Sequence, residues 1–359
     1  MLVIDSEMIS PWFGRSVFVT GHTGFKGSWL CVWLEMLGAK VHGYALDPLS
    51  ESSIFDVAGI GRVMASDVRA DVQDIDALTR AVRNVAPEVV FHLAAQPLVR
   101  ESYRDPLHTW STNVLGTANL LHAVRAAGSV RSVVVVTTDK VYSQRGGRVP
   151  FREDDPLGGD DPYSASKAAT ELVAASYRTA FLRESEIRVA TARAGNVVGG
   201  GDCAIDRLVP DCLRALAGSL TLTLRNPKAI RPWQHVLEPL AGYLTLAQRL
   251  LESGGEKYAR AWNFGPGPES HANVESVAKR LTELWGAHGR IEFSDEKHPH
   301  EAEFLALDSG DAQRLLGWTP RLTLDDALRL TVQWQQQRQR GRDMILACRE
   351  QIREYGIST

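Results

Sequence analysis

Two short segments, Val89–Ala94 (VVFHLA) and Ser132–Thr138 (SVVVVTT), constrain the fold most strongly, because their apolar character runs through odd and even positions alike. A strand with one wet face alternates apolar and polar side chains. A strand apolar at nearly every position is covered on both faces, as in a parallel sheet flanked by helices. The neighbouring segments keep this rhythm. Ser16–Thr20, Lys40–Leu46 and Ile187–Ala192 read as strands, while Trp29–Leu37, Asn113–Ala127 and Tyr163–Leu182 carry helical apolar spacing. Strands alternating with helices of this length predict an α/β fold built on a doubly wound parallel sheet.

The rhythm breaks after Arg193. Gly199, Gly200 and Gly201 interrupt it, and the chain stays irregular to Gln234, with one short helix. Leu237–Leu251, Asn273–Trp285 and Leu324–Arg338 then read as helices and Trp262–Gly265 as a short strand. This predicts a cofactor domain over 14–195, rejoined by about 236–265. A smaller, mixed α/β C-terminal substrate domain is expected from 196–235 and 266–340, followed by a C-terminal extension over 341–359.

Composition narrows the function. Among 359 residues, 40 Lys and Arg face 43 Asp and Glu, a formal charge of -3, so no basic excess is present to follow a phosphate backbone and no nucleic-acid partner is expected. Apolar residues make up 44%, which excludes general disorder. Cys31, Cys203, Cys212 and Cys348 form no CxxC pair and read as separate thiols of a reducing compartment. Met1–Phe13 holds Asp5 and Glu7 and no Lys or Arg, unlike a signal peptide, and no run of about 18 apolar residues occurs. A cytoplasmic protein without a membrane partner is the expectation.

Thr20-Gly21-His22-Thr23-Gly24-Phe25-Lys26-Gly27 leaves the first strand and opens a helix. In that setting glycines let backbone N–H groups approach a pyrophosphate, and the helix N-terminus favours its charge. Gly21, His22, Thr23, Gly24, Phe25 and Gly27 are therefore candidate cofactor contacts in a Rossmann-type sheet, although a bare βα turn uses glycines too. Asp47 ends the second strand, where a carboxylate can bind both hydroxyls of an adenosine ribose and repel a 2′-phosphate, favouring NAD; the alternative is a solvated loop aspartate. Asp71 and Val72 follow another candidate strand and can meet the adenine. Leu93, Ala94 and Ala95 end a buried strand with small residues that let a cofactor lie close, and Gln96 follows them.

Tyr163 and Lys167 stand four apart on one helix face. A phenol of pKa near ~10 is a poor base at neutral pH, but a nearby ammonium and a nicotinamide cation stabilise its phenolate. The pair then suits removal of a hydroxyl proton as hydride leaves the same carbon; a surface Tyr–Lys pair is the plain alternative. Thr138-Asp139-Lys140 ends a buried strand, where open α/β sheets bind ligands. Thr138 can donate to a substrate oxygen, Asp139 can act as an acid if kept protonated, and Lys140 as a base if kept neutral. A protonated Asp139 removes the charge that would oppose neutral Lys140, so these two assignments support each other. The alternative is a charged strand end facing water.

On these residues the chain resembles the extended short-chain dehydrogenase/reductase family, and within it the nucleotide-sugar 4,6-dehydratases, over nearly all of Trp12–Tyr355. The resemblance is carried by the glycine loop, Ala94–Arg100 (AAQPLVR), the Thr-Asp-Lys triplet and Asp161–Lys167 (DPYSASK). Arg193–Asp202 (RAGNVVGGGD), Asn226–Pro239 (NPKAIRPWQHVLEP) and His298–Ala302 (HPHEA) extend it. The glycine and Tyr–Lys motifs specify only the superfamily; the triplet together with RPWQHVLEP is narrower.

The resemblance implies tightly held NAD and CDP-glucose as substrate. By it, Tyr163 takes the 4-hydroxyl proton as hydride leaves C4, Lys140 takes the C5 proton, and Asp139 protonates the departing 6-hydroxyl, with hydride returned at C6. The related dTDP-glucose enzymes carry glutamate at the position of Lys140. The resemblance also assigns Asn196, Arg207 and Arg231 to the diphosphate side, where an arginine fork suits phosphate oxygens. It makes Asn113 an active-site asparagine bracing the lysine helix, and adds Gln96, His235 and His300 as substrate-side candidates. His298, His300 and Glu301 could be imagined as metal ligands, but this chemistry needs no Lewis acid and no metal is expected. A homodimer or dimer of dimers is implied, paired through Asn113–Ala127 and Tyr163–Leu182. Two other functions fit parts of the pattern. A sugar-nucleotide 4-epimerase or decarboxylase on the same fold has no need of an acid such as Asp139. A non-catalytic NAD-sensing module usually loses the Tyr–Lys pair.

Overall fold

Seven parallel strands form the centre of the protein in the order β10-β6-β5-β4-β1-β2-β3. They are β1 (Ser16–Thr20), β2 (Lys40–Ala45), β3 (Ser66–Arg69), β4 (Val89–His92), β5 (Ser132–Val136), β6 (Arg188–Ala194) and β10 (Ala261–Phe264). The computed structural model describes residues 10–144, 147, 149–286, 291–293 and 304–356. Every residue of β4 and β5 is buried. Their side chains divide by parity between two cores. Val89, Phe91, Val134 and Val136 pack on one face with Trp29, Trp33, Leu240 and Trp262. Val90, Val133 and Val135 pack on the other with Phe18, Leu120 and Val124. Two-sided burial is why both strands read as unbroken apolar runs, and the doubly wound sheet expected from them is the observed fold.

The chain reverses direction across the sheet between β1 and β4. Open α/β sheets bind ligands in the crevice outside the carboxyl ends of their strands at such a switch point. Helix Phe25–Met36 begins at the end of β1, and helix Pro162–Ala180 lies over β6 on the other face. The latter is started by Asp161, whose Oδ1 accepts from Ser164 N at 2.9 Å, with Pro162 in its first turn.

Over the carboxyl ends of the large sheet stand two small sheets. One has the order β11-β9-β7, from β7 (Asn196–Val198), β9 (Ile230–His235) and β11 (His271–Asn273). The other pairs β8 (Leu222–Leu224) with β12 (Ile291–Phe293). They share a separate core of Val209, Leu213, Leu222, Leu224, Trp233, Leu281 and Leu328. The last helix, Met344–Tyr355, returns to the large sheet's core: Tyr355 meets the Trp33 ring edge-on at 5.6 Å and Arg349 pairs with Glu35 at 2.9 Å. No helix among the described residues is long and apolar enough to cross a membrane.

Candidate active site

The loop after β1 is shaped by two glycines, Gly21 and Gly27, at which any side chain would collide with backbone. Gly21 has φ +73°, and a Cβ there would stand 2.6 Å from Ala94 N. A Cβ on Gly27 would stand 2.2 Å from Gly21 O, so the helix start, the loop and the end of β4 are in backbone contact. Helix Phe25–Met36 is preceded by Gly24 and has no side-chain cap, which leaves its first N–H groups directed at the cavity. Gly21, Thr23, Gly24, Phe25 and Gly27 line that cavity, as do Asp47, Asp71, Val72, Leu93, Ala94 and Ala95. A backbone cradle that excludes Cβ atoms, joined to an uncapped helix N-terminus, fits the pyrophosphate of NAD. Asp47 leaves most of its carboxylate in solvent, 3.6 Å from Arg69. Asp71 holds the turn beneath it, accepting from Gln73 N at 2.9 Å.

The reacting end lies across the cavity. Thr138, Asp139 and Lys140 leave β5 in a tight turn; Tyr163 and Lys167 project from the first two turns of helix Pro162–Ala180, and all five line the same cavity of ≈ 780 Å³. Thr138 Oγ1 donates to Asp139 Oδ1 at 3.0 Å. Burial pushes the Asp139 carboxyl above the usual carboxylate range, opposed by Lys140, Thr138 and Arg231. Burial also pushes the Tyr163 phenol up to about 12, opposed by a Thr138 hydrogen bond and by Arg207. The expected lowering of the phenol rests on the ammonium together with a nicotinamide cation. In the chain alone desolvation dominates, and Lys167 instead donates to Val136 O at 3.1 Å. Lys167 is itself lowered to about 8 by burial, with Glu171 opposing. Lys26, from the glycine loop, lines the cavity too and is lowered to about 7 by burial, Arg207 and Lys167.

Asn196, Arg207 and Arg231 line the roof above these groups. Arg207 pairs with Asp202 at 3.1 Å, and Arg231 Nη1 donates to Ile230 O at 2.9 Å.

Four predicted side chains turn away from the cavity. His22 is buried beneath the loop, 2.7 Å from Asp67 Oδ1 and edge-on to Phe55, so only its backbone remains in the cradle. Gln96 is held by Thr109 and Leu98, and Asn113 by Gln96 N and O and by Ser166 on the lysine helix. Asn113 sits in a wide turn, Ser111–Leu115, that runs into helix Gly116–Ala127. Both amides position the β4 loop and the helix start behind the site, and their hydrogen bonds are already used: Asn113 reaches the lysine helix through Ser166, while Gln96, a substrate-side candidate, also braces and does not face the cavity. His235 is fully buried against Trp29, with burial lowering it to about 3, so it is a neutral core residue and not a substrate contact. His300, with His298 and Glu301, lies outside the described residues.

The cavity also holds residues not singled out in the sequence: Arg100 and Asp202 at the ends of two motifs, and Thr112, Asp206 and Arg225 outside the quoted ones. Asp206 adopts φ +62°, a left-handed conformation that nothing in its local sequence announces. Tyr142 is no part of the site: it stacks on Phe151 at 4.8 Å and its hydroxyl donates to Asn263.

Comparison with known proteins agrees with this geometry. Residues 18–331 match the family model described as GDP-mannose 4,6 dehydratase. The chain is 45% identical over 353 residues to the CDP-glucose 4,6-dehydratase of Salmonella typhimurium, covering 97% of this chain and 98% of that protein. A crystal structure of the dTDP-glucose 4,6-dehydratase of Streptomyces venezuelae with NAD bound has a TM-score of 0.77 at 25% identity, covering 92% of this chain and 99% of that one. A UDP-glucose 4-epimerase from Stenotrophomonas maltophila, with bound NAD and formylated UDP-arabinopyranose, shares the fold with a TM-score of 0.79 at 24% identity, covering 91% and 99%.

Proposed function

The chain belongs to the GDP-mannose 4,6-dehydratase family, and we propose that its reaction is the loss of water from CDP-glucose to give CDP-4-keto-6-deoxyglucose, which makes it an NAD-dependent hydro-lyase. The observation that carries this reading is the buried acid. Asp139 is 2% exposed, held above the usual carboxylate range, and lies in one cavity with Tyr163 and Lys167. Oxidation at C4 alone, as in an epimerase, gives such an acid no task; expulsion of a 6-hydroxyl needs one.

NAD supplies, when bound, a reversible store for the hydride that leaves C4 and is returned at C6. The remaining work falls to side chains. Gly21, Thr23, Gly24, Phe25 and Gly27 hold the pyrophosphate, Asp47 the adenosine ribose, and Asp71 and Val72 the adenine edge. Tyr163 Oη takes the proton of the 4-hydroxyl, while Thr138 keeps that oxygen aligned. The 4-ketone acidifies the C5 hydrogen, which Lys140 Nζ removes. Asp139 gives its proton to the 6-hydroxyl as the C6–O bond breaks, so the oxygen departs as water. Lys140 returns its proton to C5, and the Tyr163 proton is passed on to Asp139, restoring both. Thr138 stands beside both groups and supports that transfer.

Asn196, Arg207 and Arg231 face the diphosphate in this reading. Residues 14–195 with about 236–265 form the cofactor-binding part and 196–235 with much of 266–340 the substrate part; Ala312, Leu316, Trp318, Trp334 and the helix Met344–Tyr355 pack into the large sheet's core, so the expected extension over 341–359 joins the cofactor-binding part through that helix. A homodimer is supported by large apolar side chains left exposed on neighbouring helices, Leu107 (80%), Leu115 (59%) and Leu172 (61%). The cytoplasm is the compartment that suits a soluble nucleotide-sugar substrate.

The test is a panel of CDP-, dTDP-, UDP- and GDP-sugars incubated with the NAD-loaded protein and followed by mass. Loss of one water from CDP-glucose is the expected outcome. Water loss only from another nucleotide sugar would keep the mechanism and remove the cytidine assignment. An isomerised sugar without water loss would favour the epimerase.

A further inference from the structure

The cavity continues past the reacting groups into a part of the roof that the proposed chemistry leaves unused. There Asp206, in the loop before helix Leu208–Ala217, meets Arg225, which follows β8, and Arg100, from helix Val99–Arg104. Asp206 Oδ1 accepts from Arg225 Nη1 at 2.8 Å and from Arg100 Nη1 at 3.2 Å, and Arg225 Nη2 donates to the Asp206 backbone oxygen at 3.1 Å. All three line the cavity, and the Asp206 and Arg225 side chains each keep 28% exposure. The backbone of Asp206 is held at φ +62°, a conformation that costs free energy in a non-glycine residue and persists where surrounding contacts impose it. Three separate segments thus fix one carboxylate and one guanidinium at the cavity surface. Beside them Val209, Leu222 and Leu224 supply an apolar wall.

Arg231 stands on β9 next to Pro232, which meets Asp139 around Gly195. Asp206 and Arg225 instead join the start of helix Leu208–Ala217 to the end of β8, in the other small sheet. A nucleoside-diphosphate sugar is a linear molecule. With its sugar at Tyr163 and its diphosphate under Arg207 and Arg231, its base reaches the apolar wall and the Asp206–Arg225 pair.

We propose that Asp206 and Arg225 read the base of the nucleotide and select cytosine, an inference that rests on the CDP-sugar reading above. The carboxylate of Asp206 accepts from the exocyclic amine of cytosine, and the guanidinium of Arg225 donates to its N3 and O2. Uracil and thymine present the opposite pattern at two of these atoms. Their O4 sets an acceptor against the carboxylate, and their N3–H sets a donor against the guanidinium. Discrimination thus comes from repulsion of the wrong base as well as attraction of the right one.

The test is calorimetric titration of CDP, UDP and dTDP into the NAD-loaded full-length protein, compared with Asp206→Asn and Arg225→Leu. Asparagine tolerates the left-handed backbone and offers either an acceptor or a donor, so Asp206→Asn removes the selection while keeping the turn. The wild-type protein is expected to bind CDP roughly ten- to a hundred-fold more tightly than UDP, and Asp206→Asn to bring the ratio close to one. Arg225→Leu leaves the strained residue in place and is expected to weaken CDP selectively; it probes base reading independently should Asp206→Asn fail to fold. A wild-type protein without CDP preference, or variants that keep the wild-type ratio, would overturn the inference. If the wild-type protein dehydrates CDP-glucose and the variants keep the ratio, base reading falls and the dehydratase stands. If CDP preference depends on Asp206 but CDP-glucose is left intact, the reverse holds.

Discussion

Thr138 Oγ1 donates to one oxygen of Asp139 at 3.0 Å, while the other, Oδ2, is buried without a hydrogen-bond partner among the described residues. A buried carboxylate oxygen with no partner is costly, and that cost favours the protonated acid. Asp139→Asn keeps the shape and loses the proton. Turnover should fall by about 10²–10⁴-fold, measured as water loss from CDP-glucose, while NAD remains bound.

The same acid makes a prediction about stability. The folded-state pKa of Asp139 is raised, so between its unfolded value near ~3.9 and the folded value the native state binds more protons than the unfolded one. The contribution is full below the unfolded pKa and is lost as pH rises through the folded pKa. Asp139→Asn has no such loss. Its Tm should exceed that of the wild-type protein at neutral pH, and the gap should close on acidification. A gap that widens toward low pH would contradict the assignment of a raised pKa.

Tyr163 is buried and pushed up to about 12 in the chain alone. Tyr163→Phe should lower turnover by about 10²–10⁴-fold with NAD binding and Tm little changed. Stripping NAD from the wild-type protein should move ionisation of this phenol to higher pH, because a nearby cation favours the phenolate. Difference absorbance of Tyr163→Phe against wild type, with and without NAD, reads that shift directly.

Glu171 stands one turn beyond Lys167 and accepts from Thr137 and Thr191 at 2.5 Å and from Arg193 Nε and Nη2 at 3.0 Å. Both members of the ion pair are 4% exposed. Glu171→Gln leaves the Arg193 charge buried without its counter-ion, and should cost ~3–5 kcal/mol in denaturant unfolding. A change below about 1 kcal/mol would mean that solvent reaches the pair.

At the cofactor end, Asp47 and Arg69 face one another at 3.6 Å at the ends of neighbouring strands. In the proposed ribose site Asp47 would repel a 2′-phosphate and Arg69 would attract one. Asp47→Ser should therefore raise the affinity for NADP relative to NAD when the stripped protein is reloaded and titrated. An unchanged preference would remove Asp47 from the ribose site.

How much of this could be read from the residues follows from burial. β4 and β5 were legible because both faces are covered. β3, Ser66–Arg69, lies at the sheet edge with Asp67, Val68 and Arg69 exposed, so only the residues beyond its end, Asp71-Val72, carried a signal. The glycine cradle and the Tyr163–Lys167 pair were legible because each rests on local spacing. Gln96 and His235 belong to the motifs, and Asn113 to the residues the resemblance assigns, yet all three turn inward, since a family pattern records both the groups that touch ligand and those that hold them. Asp206, Arg225 and Arg100 were not legible as a site: they are brought together across a separation of 125 positions, Arg100 to Arg225, by topology and one left-handed residue, and no local pattern carries that.

The central claim is that hydride moves within one sugar from C4 to C6 as water is lost. CDP-glucose carrying deuterium at C4, incubated with the NAD-loaded protein, tests it most directly. A product lighter by one water with its deuterium at C6 is the predicted result. Deuterium retained at C4 of a sugar that has lost no water, epimerised or unchanged, would contradict it.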